Sequence, residues 1–211
     1  LPRLAAKPVR KHQIGACWLI LKKEFRKIEI KSVSDLKTWL ENNCQQSESV
    51  WLVRYKKIKP EYHVAIADVI DQLLCFGWID SVPKKLDQNR TRVLVSKRRI
   101  GSNWSAYNKR RASELIKRGL MTPTGLAAVE RAKKDGAWSF LDDVESLILS
   151  KDLIAELKKY PQASLQFSDF SRSQKRGILE WIKNAKKPET REARIIEAAF
   201  LAQESLPANQ P

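Results

Sequence analysis

The spacing of apolar residues changes character once along this chain, and that change constrains the fold more than any other feature. Up to about Ser96, strand-like alternation and helical spacing take turns. Ile28 and Ile30 alternate with Lys27, Glu29 and Lys31 as in a half-buried strand, and Ser34-Asp35 offers a helix start for Leu36, Trp39 and Leu40. Val50 to Tyr55 is a β-branched and aromatic run. Ile66, Val69, Ile70, Leu73 and Leu74 then fall on one stripe of an amphipathic helix that Gly77 terminates. Trp78 to Val82 and Thr91 to Ser96, joined through the turn residues Asp87-Gln88-Asn89, predict a hairpin. Beyond Ser96 only helix starts remain: Ser102 or Ser105, Thr122-Pro123, Ser150, Pro161, Ser171 or Ser173, and Pro188. Strands and helices mixed, then helices alone, specify an α+β plan. It consists of a small antiparallel sheet with packed helices over residues 25–118, followed by a C-terminal helical part over residues 119–211.

Charge is as unevenly distributed as periodicity. The 211 residues carry a formal charge of +16, and the segment from Lys84 to Arg118 alone holds twelve basic and two acidic side chains. A second basic block occupies the first 31 residues. Residues 1–24 are expected to be a non-native or disordered basic extension, with the folded part beginning near Phe25. With 43% hydrophobic residues the chain can bury a core, which excludes disorder. No apolar run reaches the roughly 18 residues that a membrane span requires. Cys17, Cys44 and Cys75 are odd in number and widely spaced, so they suggest neither a disulfide framework nor a metal site, and a reducing cytoplasm is the expected compartment. No cofactor is expected.

Three stretches carry the candidate chemistry. Cys75-Phe76-Gly77-Trp78-Ile79-Asp80 sets a thiol, an indole and a carboxylate around a glycine. The bland reading makes these core and turn residues, and the only histidine nearby, His63, lies on the wrong side of the same helix to activate Cys75. Lys97 to Asn108 places Arg98 and Arg99 ahead of a helix start with Ser102 and Ser105, an arrangement that favours an anion. The competing reading has the arginines paired with internal carboxylates and the serines acting only as caps. Lys109-Arg110-Arg111, with Trp104 and Tyr107, offers a nucleic-acid backbone cations and rings, although three consecutive helical residues point in three directions.

Several of these pieces, in this order, resemble the YdeI/OmpD-associated family, known as bacteriocin-protection proteins. The matching segments are Leu74-Cys75-Phe76-Gly77-Trp78-Ile79-Asp80, Arg98-Arg99 with Ser102-Asn103-Trp104-Ser105 and Asn108, Gly119 to Leu126, and Ala185-Lys186-Lys187-Pro188-Glu189-Thr190-Arg191. Lys97 and Ile100 depart from the prolines expected around the double arginine. The resemblance implies a bacterial cytoplasmic protein linked to stress or antimicrobial-peptide tolerance, and supplies no reaction.

The leading expectation is a non-enzymatic protein that binds a small anionic ligand or an acidic partner. The site is expected at Trp78, Asp80, Arg98, Arg99, Ser102, Trp104, Ser105 and Asn108. The alternatives are nucleic-acid binding through residues 84–118 and an enzyme with a pocket around Asp80.

Overall fold

The computed structural model describes residues 25–81 and 83–209, so the expected extension over residues 1–24 lies outside the described part. The chain runs β1 (Lys27–Ile30), α1 (Val33–Asn43), β2 (Val50–Tyr55), α2 (Ile66–Cys75), β3 (Trp78–Asp80), β4 (Lys84–Lys85), β5 (Arg90–Lys97), α3 (Ala106–Lys117) and α4 (Pro123–Lys134). It continues with α5 (Asp142–Glu145), α6 (Lys151–Leu157), α7 (Ala163–Asp169), α8 (Arg172–Lys183) and α9 (Pro188–Gln203). This is the α+β plan, and no strand follows β5 among the described residues.

The sheet order is β1-β2-β5-β3, with β4 also on β5. The predicted hairpin is present, since β3 and β5 pair antiparallel with Trp78 opposite Lys97 and Asp80 opposite Val95. One expectation needs correction, because the sheet is mixed: β1 runs parallel to β2, with Ile28 opposite Leu52. The reason is the helical segment between them. An eleven-residue α1 carries the chain back to the starting edge, as a crossover helix must if the next strand is to run parallel. That helix begins two residues earlier than Ser34 suggested. Ser32 is the N-cap, and Asp35, three residues on, completes a reciprocal capping box with it.

Alternation along the strands sorts the sheet into two faces. Ile28, Ile30, Val50, Leu52, Val93, Val95 and Trp78 are buried and form the first core with Leu36, Leu40, Val69 and Leu73 from α1 and α2. That core extends to Val129, Ala132 and Ala137, so α4 packs with the sheet although it follows the last strand. A second core collects Leu141, Leu153, Leu157, Phe167, Ile178, Ile182, Ile195 and the alanines 198, 199 and 202. The small alanine face of α9 lets α6 and α7 approach closely. Arg191 ties this lobe together with a bidentate grip on Asp152 at 2.8 and 3.0 Å and a third hydrogen bond to Ser150 Oγ.

Two of the motifs noted in the sequence meet in the first lobe. Gly77 adopts φ +74° at the end of α2, and a Cβ there would lie 2.9 Å from the carbonyl oxygen of Thr124. Thr122, the N-cap of α4, donates from its backbone N–H and from its hydroxyl to the carbonyl of Cys75 at 3.0 and 2.6 Å. The end of one helix is thus capped by the start of another.

Candidate functional site

The residues singled out by sequence divide into three groups in space. Trp78 faces inward, meeting Trp39 edge-on at 5.5 Å and donating from Nε1 to the Cys44 carbonyl at 3.3 Å. It is a core residue and does not join the arginines.

Arg98 follows the end of β5, where its backbone N–H donates to the Gly77 carbonyl at 3.0 Å. Its side chain is buried at 4% exposure, with the guanidinium 3.8 Å over the Trp104 ring. Nη1 donates to the Asn103 carbonyl at 3.2 Å, whereas Nε and Nη2 have no partner. Asp80 acts on this cation through its field, without a contact ion pair among the described residues. Burial pushes the guanidinium down to about 10, which the negative charge of Asp80 partly offsets. Burial likewise raises the Asp80 carboxyl, against the pull of a backbone hydrogen bond and of Arg98. The cavity bounded by Arg98, Arg99, Ser102, Trp104 and Arg131 measures about 10 Å³, room for one water at most.

The third group is the start of α3. Ser105 caps it, accepting from the Asn108 N–H at 3.2 Å. The Ala106 N–H donates to Glu145 Oε1 at 3.2 Å, and Arg176 grips the same carboxylate at 3.0 Å. The anion favoured at this helix start is therefore supplied by the second lobe, and Arg176 holds the Glu145 carboxyl below its ordinary range. No local signal announces this pairing, because Glu145 lies 39 residues along the chain from Ala106.

What stays open is the rim between the lobes. Asn103 donates from Nδ2 to Asn184 Oδ1 at 2.9 Å, joining two motifs 81 residues apart. Beside this bond lies a groove of about 510 Å³, lined by Gly101, Asn103, Asp135, Phe140, Lys183 and Lys186. It touches the small Arg98 cavity at Gly101, Asp135 and Ala137. Asp135 is committed to the backbone, accepting from Gly101 and Ala137, and Lys183 pairs with Asp143. Arg99 and Lys186 are exposed and form no ion pair among the described residues.

Residues 28–128 match a family model described as a domain of unknown function (DUF8412), which covers most of the sheet lobe. Residues 146–204 match the family model described as Bacteriocin-protection, YdeI or OmpD-Associated. The resemblance drawn from the sequence is thereby supported, and it is the second lobe that carries the support. Within the bacteriocin-protection match lie Asn184 and Lys186 of the groove and Arg191 of the α6–α9 tie. Neither a curated protein nor a solved structure matches the chain.

The remaining candidates have plain structural roles. Lys109 pairs with Asp142, and Arg111 with Asp71 (2.8 Å from Nε) and Glu114, so two cations of the basic run are neutralised internally. Cys75 is buried at 4% exposure, and desolvation, reinforced by the charge of Asp71, pushes its thiol up to about 11. A thiol so raised is a poor nucleophile. Alkylation of Cys75 at pH 8, followed by mass spectrometry of its peptide, is expected to run on the order of 100-fold slower in the native protein than in the unfolded one. Equal rates would show an accessible thiolate.

Proposed function

We propose that the protein is a non-enzymatic binding protein of the bacteriocin-protection type, acting in the cytoplasm in tolerance of stress or antimicrobial peptides, and that it holds a small anionic ligand in the groove between its lobes. The observation that carries this reading is the Asn103–Asn184 hydrogen bond at the groove wall. It joins the double-arginine motif to the Lys186 motif, so that the uncompensated Lys186 lines the groove while Arg99 borders the small cavity that adjoins it at Gly101, Asp135 and Ala137. A volume of about 510 Å³ suits a metabolite-sized molecule. Phe140 supplies an apolar wall and the asparagine pair supplies oriented donors and acceptors. Arg98 is too deeply buried to touch such a ligand, and its part is to fix the loop that carries Arg99.

The test is a thermal-shift panel of phosphorylated and carboxylated metabolites on the full chain. At least one is expected to raise the melting temperature, and the combined Arg99→Ala, Lys186→Ala variant is expected to lose that rise while melting normally without ligand. A rise that survives the double substitution would overturn the groove as the site.

A further inference from the structure

The face of the sheet turned away from α1 and α2 has a composition that no structural role accounts for. Register places Lys27 beside Trp51, Arg92 beside Val53, Lys84 beside Arg92, and Tyr55 beside Arg90 on this face. Its single carboxylate at these positions, Glu29, is already bound by Arg90 at 2.6 Å and by the Tyr55 hydroxyl at 2.6 Å. Lys27, Lys84 and Arg92 form no ion pair among the described residues. Two of them gather on one ring, with Arg92 Cζ 4.5 Å and Lys84 Nζ 5.8 Å from the centre of the Trp51 indole. The Arg92 Nε has no hydrogen-bond partner.

An unneutralised cluster of three cations around an indole is costly by mutual repulsion unless an anion joins it. The patch runs from Lys27 to Trp51 beside it, diagonally on to Arg92 and then to Lys84, and crosses β1, β2, β5 and β4, a span of about 14 Å across the strands at the usual strand separation. We infer that this face binds single-stranded nucleic acid, with a base stacked on the Trp51–Arg92 pair and flanking phosphates on Lys27, on Lys84 and on the edge of the Arg92 guanidinium. Indole and guanidinium planes both stack bases, and a broad sheet surface presents them to unstacked bases that a duplex keeps inside. An acidic protein would use the cations and leave the ring without a partner. This site is distinct from the inter-lobe groove, and neither reading depends on the other.

The test is fluorescence anisotropy of labelled oligothymidylate and oligouridylate on the full chain over a range of salt. Binding is expected at low salt, with a log–log salt slope of about −2 for three contacted phosphates. Trp51→Leu is expected to weaken it about ten-fold, and Trp51→Tyr to restore most of the loss. Lys84→Gln with Arg92→Gln is expected to flatten the slope by about 1.4. If Trp51→Leu does not fold, the slope change decides. The proposal is overturned by absence of binding at low salt, by equal binding of polyglutamate or of a duplex, or by binding that these substitutions leave unchanged.

Discussion

Gly125→Ala is expected to destabilise the protein by about 3 kcal/mol or more and to lower its melting temperature by roughly 10 °C. Gly125 sits in the first turn of α4, where backbone conformation alone would accept alanine. The obstacle is proximity. A Cβ at this position would lie 2.2 Å from the Cys75 carbonyl oxygen, 2.7 Å from its carbon and 2.8 Å from the Leu74 carbonyl oxygen. All three are backbone atoms at the end of α2, so no side chain can rotate aside. Relief requires the helices to part, which breaks both hydrogen bonds from Thr122 to the Cys75 carbonyl. Gly119→Ala provides the contrast, since its strain comes from φ +67° with nothing within 4 Å of the added Cβ, and it is expected to cost about 1 kcal/mol. Thermal melts of the two variants check the ranking, and equal losses would show that the α2–α4 approach is not the constraint.

This contact also shows why the segments Leu74 to Asp80 and Gly119 to Leu126 stand out together in the sequence. Each contributes a glycine to one crossing, so their spacing reflects packing. Elements were legible wherever a local rule decided them: the Thr122-Pro123 start of α4, the Ser171 capping box of α8 and the alternation of Ile28 and Ile30 depend only on near neighbours. The parallel pairing of β1 with β2 was not legible, because strand direction is set by the helix between the strands and not by either strand's residues.

The candidate site was legible in composition and not in assignment. A double arginine before a capped helix does call for anions, and two are supplied from within, Asp80 acting through its field on Arg98 and Glu145 at the start of α3. Local sequence gives the demand and long-range packing decides who meets it. Arg99, Lys186, Lys27 and Lys84 are cations whose counter-charge is not found among the described residues.

Replacing Arg98 separates its bulk from its charge. Arg98→Ala is expected to cost about 3 kcal/mol, because it empties a buried site beneath Trp104. Arg98→Met, which keeps most of the volume and the contact with the ring, is expected to fall within about 1 kcal/mol of the parent. The near-neutrality arises from opposed terms. Desolvation lowers the guanidinium from its ordinary value to about 10, a penalty on the order of 3 kcal/mol at neutral pH. Against it stand the cation–π contact, worth about 2 kcal/mol when desolvated, and one hydrogen bond to Asn103, worth about 1 kcal/mol. The pH dependence has a fixed sign. Between about 10 and the ordinary guanidinium value the unfolded chain binds the proton that the folded one has released, so the penalty, complete below 10, is relieved as pH rises through this window. Stability of the parent relative to Arg98→Met, measured by denaturant unfolding, is therefore expected to increase above pH 10, the lysines cancelling in the difference. If methionine proves as damaging as alanine, the unpaired Nε and Nη2 are satisfied after all, and a bound water in the adjoining 10 Å³ cavity becomes the group that explains it.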